Sequence, residues 1–332
     1  MKKKKVIFSG IKPSGELTLG NYLGALKPWA ELQNNYDTYY CVVDLHAITV
    51  KQEPKDLRRR TWQNLAIYIA AGLDPEKNTF FIQSHVPAHA ELAWILNCYL
   101  YIGEMSRMTQ YKSEVAKRRE AIGLGILTYP SLMAADILLY QTDLVPVGKD
   151  QHQHLELTRD IAVRFNNMYS ETFMIPETFS SKTSAKIMDL QTPSKKMDKS
   201  DDNPNGVIYI MDSPETIRKK ISRAITDNVG IINYSDEQAG IKNLVNIFAS
   251  IEKISPEEVV DFYKGKGYAE LKSDVAESII KELAPVKERT TKLLEDKKML
   301  EAIVKEGAKR ANDVAVKTLR KVKKKIGFIQ FR

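Results

Sequence analysis

The sequence predicts an α/β protein whose first part forms a parallel sheet and whose second part is entirely helical. Short apolar runs rich in β-forming residues alternate with helix-length segments in the first half of the 332-residue chain. Strands that are separated by helices of this length pair in parallel. After Gly206 only helical patterns follow. These observations divide the chain at 1–206 and 207–332.

Four strands are predicted, over 6–8, 39–43, 79–82 and 143–147, with helices over 54–72 and 87–101 between them. Ligands of parallel sheets bind at the carboxyl ends of the strands. The residues expected at that edge are Ser9, Asp44, His46, Gln83 and Gly148.

The segment after the first strand combines a turn with a helix start. Pro13, Ser14 and Gly15 mark the turn, and Thr18 is the expected N-cap of a helix with apolar residues at 19, 22, 23 and 26. A helix N-terminus beside a strand end offers N–H groups to a phosphate. The segment is neither a Walker loop nor a Gly-x-Gly-x-x-Gly fingerprint. An ordinary strand–turn–helix with packing glycines remains open at this point.

A lysine-rich loop is predicted at 195–200, between Pro193-Ser194 and the turn residues of 201–206. Lys196 and Lys199 are suited to neutralise charge that develops on a triphosphate when a loop closes over it. A solvated basic loop is the alternative.

The second part begins with two clear helix starts. Ser213-Pro214 supplies an N-cap and a first helical residue, and Ser255 and Glu258 have the spacing of a capping box. Three long helices are expected to follow, over 269–283, 285–305 and 308–326.

Composition limits the class of protein. Hydrophobic residues make up 43% and charged residues 28%, as in soluble globular proteins. No apolar run approaches the roughly 20 residues that span a bilayer, and the apolar stretch after the basic start is too short for a signal peptide. Cys41 and Cys98 lie in apolar segments and are expected to be buried free thiols, which predicts a reducing, cytoplasmic compartment. No metal site is predicted.

The net charge of +8 is concentrated near the C-terminus. The basic residues there are Lys317, Arg320, Lys321, Lys323, Lys324, Lys325 and Arg332. Contact with RNA phosphates is one interpretation and a solvated helix face is the other.

The two segments resemble the HIGH-type and KMSKS-type motifs of class I aminoacyl-tRNA synthetases. Further segments, at 43–49, 81–84, 127–130, 133–140 and 145–148, resemble the bacterial tryptophanyl-tRNA synthetases, and the resemblance covers essentially the whole chain. It implies a Rossmann-like catalytic domain for ATP and tryptophan over 1–206. It also implies a helical domain over 207–332 that binds the tRNA anticodon, with a terminal helix that either stays there or packs back on the first domain.

The resemblance implies a tryptophan–tRNA ligase. Such an enzyme activates L-tryptophan with ATP and Mg²⁺, releases pyrophosphate, and transfers the tryptophanyl group to the 3′-terminal ribose of tRNA(Trp). A homodimer paired through the catalytic domains is also implied.

The same resemblance assigns the site residues. In the tryptophan pocket Asp136 accepts the indole N–H; the remaining pocket residues are Phe8, Met133, Val145 and Val147 as walls, Tyr129 and Gln151 near the amino group, and His46 near the carboxylate. Those assigned to ATP are Lys12, Ser14, Thr18, Gly20, Asn21, Gly148, Asp150, Lys196, Met197, Lys199 and Ser200. Lys196, Lys199 and Lys117 are assigned to catalysis.

Two positions depart from the commonest motifs. Lys12 replaces the usual Gln or Arg, and Asp198 replaces the middle Ser of the lysine loop, where a carboxylate is expected to weaken the field of its neighbours. Three alternatives remain open: a tyrosyl-tRNA synthetase, a small-molecule adenylate-forming enzyme, and a non-catalytic RNA-binding paralogue.

Overall fold

The centre of the molecule is a five-stranded parallel sheet of order β3-β2-β1-β4-β5. The computed structural model describes residues 4–117, 122–148, 151–179, 186–198 and 203–330, without the side chain of Lys117. The strands are β1 (Lys5–Ile11), β2 (Tyr36–Val42), β3 (Thr79–Ile82), β4 (Leu144–Val145) and β5 (Glu177–Thr178). The predicted parallel sheet is therefore confirmed.

The first four strands overlap the predicted ones, with β3 at its predicted bounds, whereas β5 was missed. β5 is a two-residue edge strand whose residues are both exposed, so it carries no apolar run to reveal it. It is paired only with β4, through Leu144 and Val145. The pairing with β4, and not an apolar pattern of its own, therefore makes this segment a strand.

The helices of the first part connect these strands. They are α1 (Leu19–Asn21), a π-helical turn (Tyr22–Leu26), α2 (Lys27–Leu32), α3 (Asp44–Ala47), α4 (Pro54–Ala70), a 3-10 turn (Gln83–His85), α5 (Ala88–Asn97), α6 (Ile102–Met105), α7 (Thr109–Lys117), α8 (Leu124–Leu138) and α9 (His152–Met168). The predicted helix over 54–72 matches α4, and α5 is shorter than the predicted 87–101.

The described residues after 206 form helices and loops. The helices are α10 (Pro214–Ser222), α11 (Ala239–Glu252), α12 (Pro256–Phe262), α13 (Tyr268–Glu295) and α14 (Lys297–Lys325). Both predicted helix starts are confirmed: Ser213 Oγ accepts from the Thr216 N–H, and Ser255 and Glu258 form the capping box.

The prediction of three long helices at the end of the chain was wrong, because two are present. Helix α13 continues through Pro285, and the break lies at Asp296, whose side chain accepts from the Met299 N–H at 3.0 Å and caps α14. The expected break near Gly307 is absent. There α14 approaches β3 so closely that a Cβ on Gly307 would lie 1.7 Å from the Phe80 carbonyl oxygen. The glycine therefore permits close packing and does not end a helix.

Two hydrophobic cores lie on opposite faces of the sheet. Phe80 belongs to the first and Phe81 to the second, because successive side chains of a strand point to opposite faces. The first core joins residues on both sides of position 206, including Leu19, Met197 and Ile208. Helix α14 contributes to both: Leu300 and Val304 belong to the first core, and Ala311, Ala315, Leu319 and Val322 to the second.

One expectation about the cysteines was wrong. Cys41 is buried in β2, but Cys98 is exposed at the end of α5, where its apolar neighbours in sequence lie on other faces of the helix. In the described part of the chain, no helix is long and apolar enough to cross a membrane.

Candidate active site

A cavity of about 340 Å³ opens at the carboxyl edge of the sheet. Its lining includes the ends of β1 and β4, the segment after β2, and helices α7 and α8. All eight residues predicted to bind tryptophan line it: Phe8, His46, Tyr129, Met133, Asp136, Val145, Val147 and Gln151. Lys12 and Gly148, predicted for ATP, line it as well. The structure thus brings together residues that are distant in sequence.

Asp136 is the buried charge of this cavity, with 2% of its surface exposed. Its Oδ1 accepts from Gln83 Nε2 and from His89 Nδ1, each at 2.6 Å, and its Oδ2 accepts from His46 Nε2 at 2.9 Å. Burial alone would raise the pKa of Asp136, but hydrogen bonds and charge from His46 and His89 outweigh it and lower the pKa. The carboxyl is therefore ionised near neutral pH.

Three elements supply the donors to Asp136. Gln83 directly follows β3, His46 lies on α3 after β2, and His89 lies in the first turn of α5. The donor role of His89 was missed by the sequence reasoning. Two signals in the sequence could have revealed it. His89 stands among apolar residues of a predicted helix, and a carboxylate that is buried, as Asp136 was expected to be, needs hydrogen-bond donors.

Tyr129 forms the polar side of the cavity. Its hydroxyl donates to Gln110 Oε1 at 2.8 Å and also contacts His154 Nε2. Burial, with Glu114 nearby, raises the pKa of Tyr129, so the phenol keeps its proton. Gln110 and Glu114 of α7 also line the cavity, and the sequence reasoning had assigned them no role.

The helix start after β1 is not part of the lining of this cavity, although Lys12 of the preceding turn is. Thr18 is the N-cap as predicted: Thr18 Oγ1 accepts from the Asn21 N–H at 3.2 Å, and Asn21 Oδ1 accepts from the Thr18 N–H at 3.0 Å. Ser14 and Gly20 are half-buried on the same segment. A Cβ on Gly20 would lie 3.6 Å from Ile187 and 3.7 Å from Met197. The first segment and the lysine segment are therefore neighbours in space.

The described part of the lysine segment is held by backbone pairing. Lys196 pairs with Met188 in an antiparallel bridge, and the Met197 N–H donates to the Ile187 carbonyl at 3.1 Å. Lys196 and Asp198 are exposed, whereas the Met197 side chain is buried in the first core. The assignment of Met197 to ATP stays a prediction, and its backbone is the part that such a contact would use.

Asn243 of α11 holds the backbone of Met188, the residue that pairs with Lys196. Its Oδ1 accepts from the Met188 N–H at 2.8 Å, and its Nδ2 donates to the Met188 carbonyl at 2.9 Å. Asn243 is 2% exposed. A residue of the helical part therefore positions the backbone beside Lys196.

Asp150, Lys199, Ser200 and the side chain of Lys117 lie outside the described residues, so their assignments remain predictions.

A parallel sheet with a capped helix start after its first strand, next to a lysine segment and a cavity with a buried carboxylate, is the arrangement of a class I aminoacyl-tRNA synthetase. The family model described as tRNA synthetases class I (W and Y) matches residues 1–284. The chain belongs to this family.

Its relatives match over nearly their whole length. The chain is 67% identical to the tryptophan–tRNA ligase of Clostridium perfringens and 61% identical to that of Clostridium acetobutylicum, in both cases over 98% of each chain. Among solved structures, tryptophanyl-tRNA synthetase from Mycoplasma pneumoniae matches with a TM-score of 0.91 and 34% identity, over 98% of each chain. The Campylobacter jejuni enzyme complexed with ADP and tryptophan has a TM-score of 0.83 and 34% identity, over 97% of this chain and 100% of that one.

Proposed function

We propose that this chain is a tryptophan–tRNA ligase. It activates L-tryptophan with ATP to tryptophanyl-adenylate and pyrophosphate, then transfers the tryptophanyl group to the 3′-terminal ribose of tRNA(Trp). The observation that carries this proposal is the buried Asp136 carboxyl, which lines the cavity among apolar walls and accepts hydrogen bonds, because an indole offers one hydrogen-bond donor and no acceptor.

The side chains around the cavity suit the other groups of tryptophan. Phe8, Met133, Val145 and Val147 provide apolar contact for the indole rings. Tyr129 and Gln151 hold the amino group. His46 donates to Asp136, so its place is at the indole end of the pocket, and its assignment to the substrate carboxylate is the less favoured one.

Activation needs no nucleophile from the protein. The tryptophan carboxylate attacks the α-phosphorus of ATP, and the bond to the leaving pyrophosphate breaks. The protein contributes positioning and charge stabilisation. Thr18, Gly20 and Asn21 hold the nucleotide, with Lys12, Ser14, Gly148 and Asp150 around it, and Lys196 and Lys199 stabilise the pyrophosphate, with Lys117 as a further phosphate contact. The proximity of Gly20 to the lysine segment supports this division of roles.

Magnesium is expected to come with the nucleotide. Among the described residues no group of three His, Cys, Asp or Glu is placed to hold a metal ion. Mg²⁺ characteristically binds substrate phosphates and retains several waters, and at this site it would neutralise phosphate charge.

The tRNA is proposed to contact the helical part and the basic end of α14. Lys317, Arg320, Lys321 and Lys324 are exposed there, while Lys323 is half-buried and paired with Glu91. Exposed lysine and arginine side chains suit RNA phosphates. The cytoplasm, where ATP and tRNA are available, is the compartment we propose.

A homodimer is proposed through the first part of the chain. Trp94 of α5, Ile102 of α6 and Leu124 of α8 are 71%, 79% and 72% exposed, on helices that pack together. Exposed apolar residues concentrated on neighbouring elements mark interaction sites. Sedimentation of the wild type and of Ile102→Glu, which is expected to shift the population toward the monomer, tests this assignment.

Pyrophosphate exchange into ATP tests the activation step. Exchange should occur with tryptophan and not with tyrosine or phenylalanine, in the absence of tRNA. Aminoacylation of tRNA(Trp) against tRNA(Tyr) then tests the transfer step. Exchange with tyrosine would show the tyrosyl alternative to be correct. The absence of exchange in a folded protein that binds tRNA would favour the non-catalytic one.

A further inference from the structure

We propose that His89 is a positioning residue for tryptophan selection, which holds one oxygen of Asp136 so that the other is presented to the indole N–H. This inference rests on the proposed function and names a determinant of its specificity. His89 is fully buried and is not among the residues that line the cavity, so it acts through Asp136 and does not touch the substrate.

The three buried groups form a chain of hydrogen bonds that leads away from the cavity. Tyr140 Oη lies 2.7 Å from His89 Nε2, and His89 Nδ1 lies 2.6 Å from Asp136 Oδ1. An ionised carboxylate only accepts, so Nδ1 carries the proton. The Tyr140 hydroxyl and His89 Nε2 form the second hydrogen bond of this series.

Aromatic rings surround Tyr140 and His89, the part of this hydrogen-bond series that lies away from the cavity. The Tyr140 ring stacks on Phe8 with centroids 5.6 Å apart and on Tyr39 with centroids 4.5 Å apart. Phe81 packs beside His89 at 5.7 Å. Because these rings are packed on several sides, the Tyr140 hydroxyl and the imidazole have little freedom to turn away from Asp136.

Counting acceptor positions shows what remains for the substrate. An ionised carboxylate has about four lone-pair positions. Gln83 and His89 occupy both positions of Oδ1, and His46 occupies one position of Oδ2. Within the described residues no donor takes the second position of Oδ2, and the indole of tryptophan has one N–H to offer it. Phenylalanine would leave this buried position without a donor.

Loss of His89 should therefore weaken the recognition of the indole N–H in particular. Without its second donor, Oδ1 loses a partner in a buried site, and the carboxylate is free to rotate or to take up a proton. Either change makes Oδ2 a poorer acceptor for the indole. Contacts of the apolar walls with the indole rings should be unaffected.

The test compares L-tryptophan with L-3-(3-benzothienyl)alanine, in which sulfur replaces the indole N–H. For the wild type, kcat/KM in pyrophosphate exchange should favour tryptophan by about 10- to 100-fold, as expected for a hydrogen bond to a charged group. In His89→Leu, kcat/KM for tryptophan should fall by about tenfold, mainly through KM, while the value for the analogue changes by less than about threefold. The preference for tryptophan should nearly disappear.

Other variants keep the test decisive. His89→Asn retains a donor near the Nδ1 position and should restore most of the preference. Tyr140→Phe, which removes only the outer hydroxyl, should reduce the preference by a smaller factor. His85→Leu, at an exposed histidine of the same segment, is the matched control and should leave both substrates unchanged. If His89→Leu does not fold, His89→Asn and Tyr140→Phe carry the comparison.

An equal fall for both substrates in His89→Leu would overturn the inference, because it would show a structural role only. An unchanged preference would also overturn it. Absence of exchange with tryptophan in the wild type would instead refute the proposed function, so the two failures are distinguishable.

Discussion

Replacement of Asn243 by leucine tests whether the helical part positions the lysine segment. Leucine has a similar volume but makes neither of the two hydrogen bonds to Met188, at 2.8 and 2.9 Å. Each such bond contributes about 1 kcal/mol net, and a buried backbone group left without a partner costs about 1–3 kcal/mol. For the two Met188 groups together, we therefore expect the variant to lose about 2–6 kcal/mol of the free energy that holds the segment paired with Lys196.

The expected functional effect is confined to the nucleotide. If Lys196 acts on the pyrophosphate, even 1.4 kcal/mol of this loss at the lysine segment lowers kcat/KM for ATP about tenfold. KM for tryptophan should stay within about twofold, because Asn243 lies outside the lining of the tryptophan cavity. Pyrophosphate exchange at varied ATP and at varied tryptophan separates the two effects.

Asn246→Leu is the matched control, because Asn246 lies nearly one turn further along α11 and its side-chain Oδ1 accepts from the Tyr234 hydroxyl at 2.9 Å, away from Met188. It should leave the kinetics for ATP unchanged. If Asn243→Leu lowers the melting temperature but leaves kcat/KM for ATP unchanged, Asn243 stabilises the fold without positioning the lysines, and the reasoning is refuted.

Three further outcomes are expected. Gly307→Ala places a Cβ 1.7 Å from the Phe80 carbonyl oxygen, whereas in the control Gly103→Ala the nearest atom is 3.6 Å away. In Gly307→Ala the overpacking costs about 1–3 kcal/mol, which should outweigh the gain of about 1 kcal/mol in helix propensity, so Tm should fall by several degrees in this variant only. Asp198→Ser removes an exposed carboxylate beside Lys196 and should lower KM for ATP about two- to fivefold; an unchanged or higher KM would contradict the expected weakening of the lysine field. Because the pKa of Asp136 is lowered, its carboxylate takes up a proton, and stops accepting from the indole, only when pH falls through that low value. The preference for tryptophan over the benzothienyl analogue should therefore be constant from about pH 8 to about pH 5. An inflection within that range would show that the pKa of Asp136 is raised.

Local signals in the sequence predicted the helix starts well. Thr18, Ser213 and Ser255 cap their helices with partners three residues away, so the pattern and its cause lie in the same few residues. The apolar strands were also found, because their composition reflects burial within the sheet. Residues of the tryptophan pocket were predicted through the family resemblance, and the structure gathers them around one cavity.

The errors concern features that depend on distant contacts. Pro285 and Gly307 look like helix breaks, but α13 continues through the first, and the second is required by the closeness of β3. The partnership of His89 with Asp136, which lie 47 residues apart, joins α5 and α8 within the connection from β3 to β4, and no spacing along the chain encodes it. Cys98 was expected to be buried because its neighbours are apolar, although only one face of α5 is covered.

The position of α14 has a consequence for the order in which the molecule is built. This helix covers β3 and is synthesised after every strand of the sheet that it contacts. Until Gly307 and the residues after it have left the ribosome, one face of the sheet edge lacks its cover and is open to other strands. A product truncated near residue 206 would therefore leave β3 uncovered and prone to aggregate, so synthesis must pass α14 before the sheet is protected.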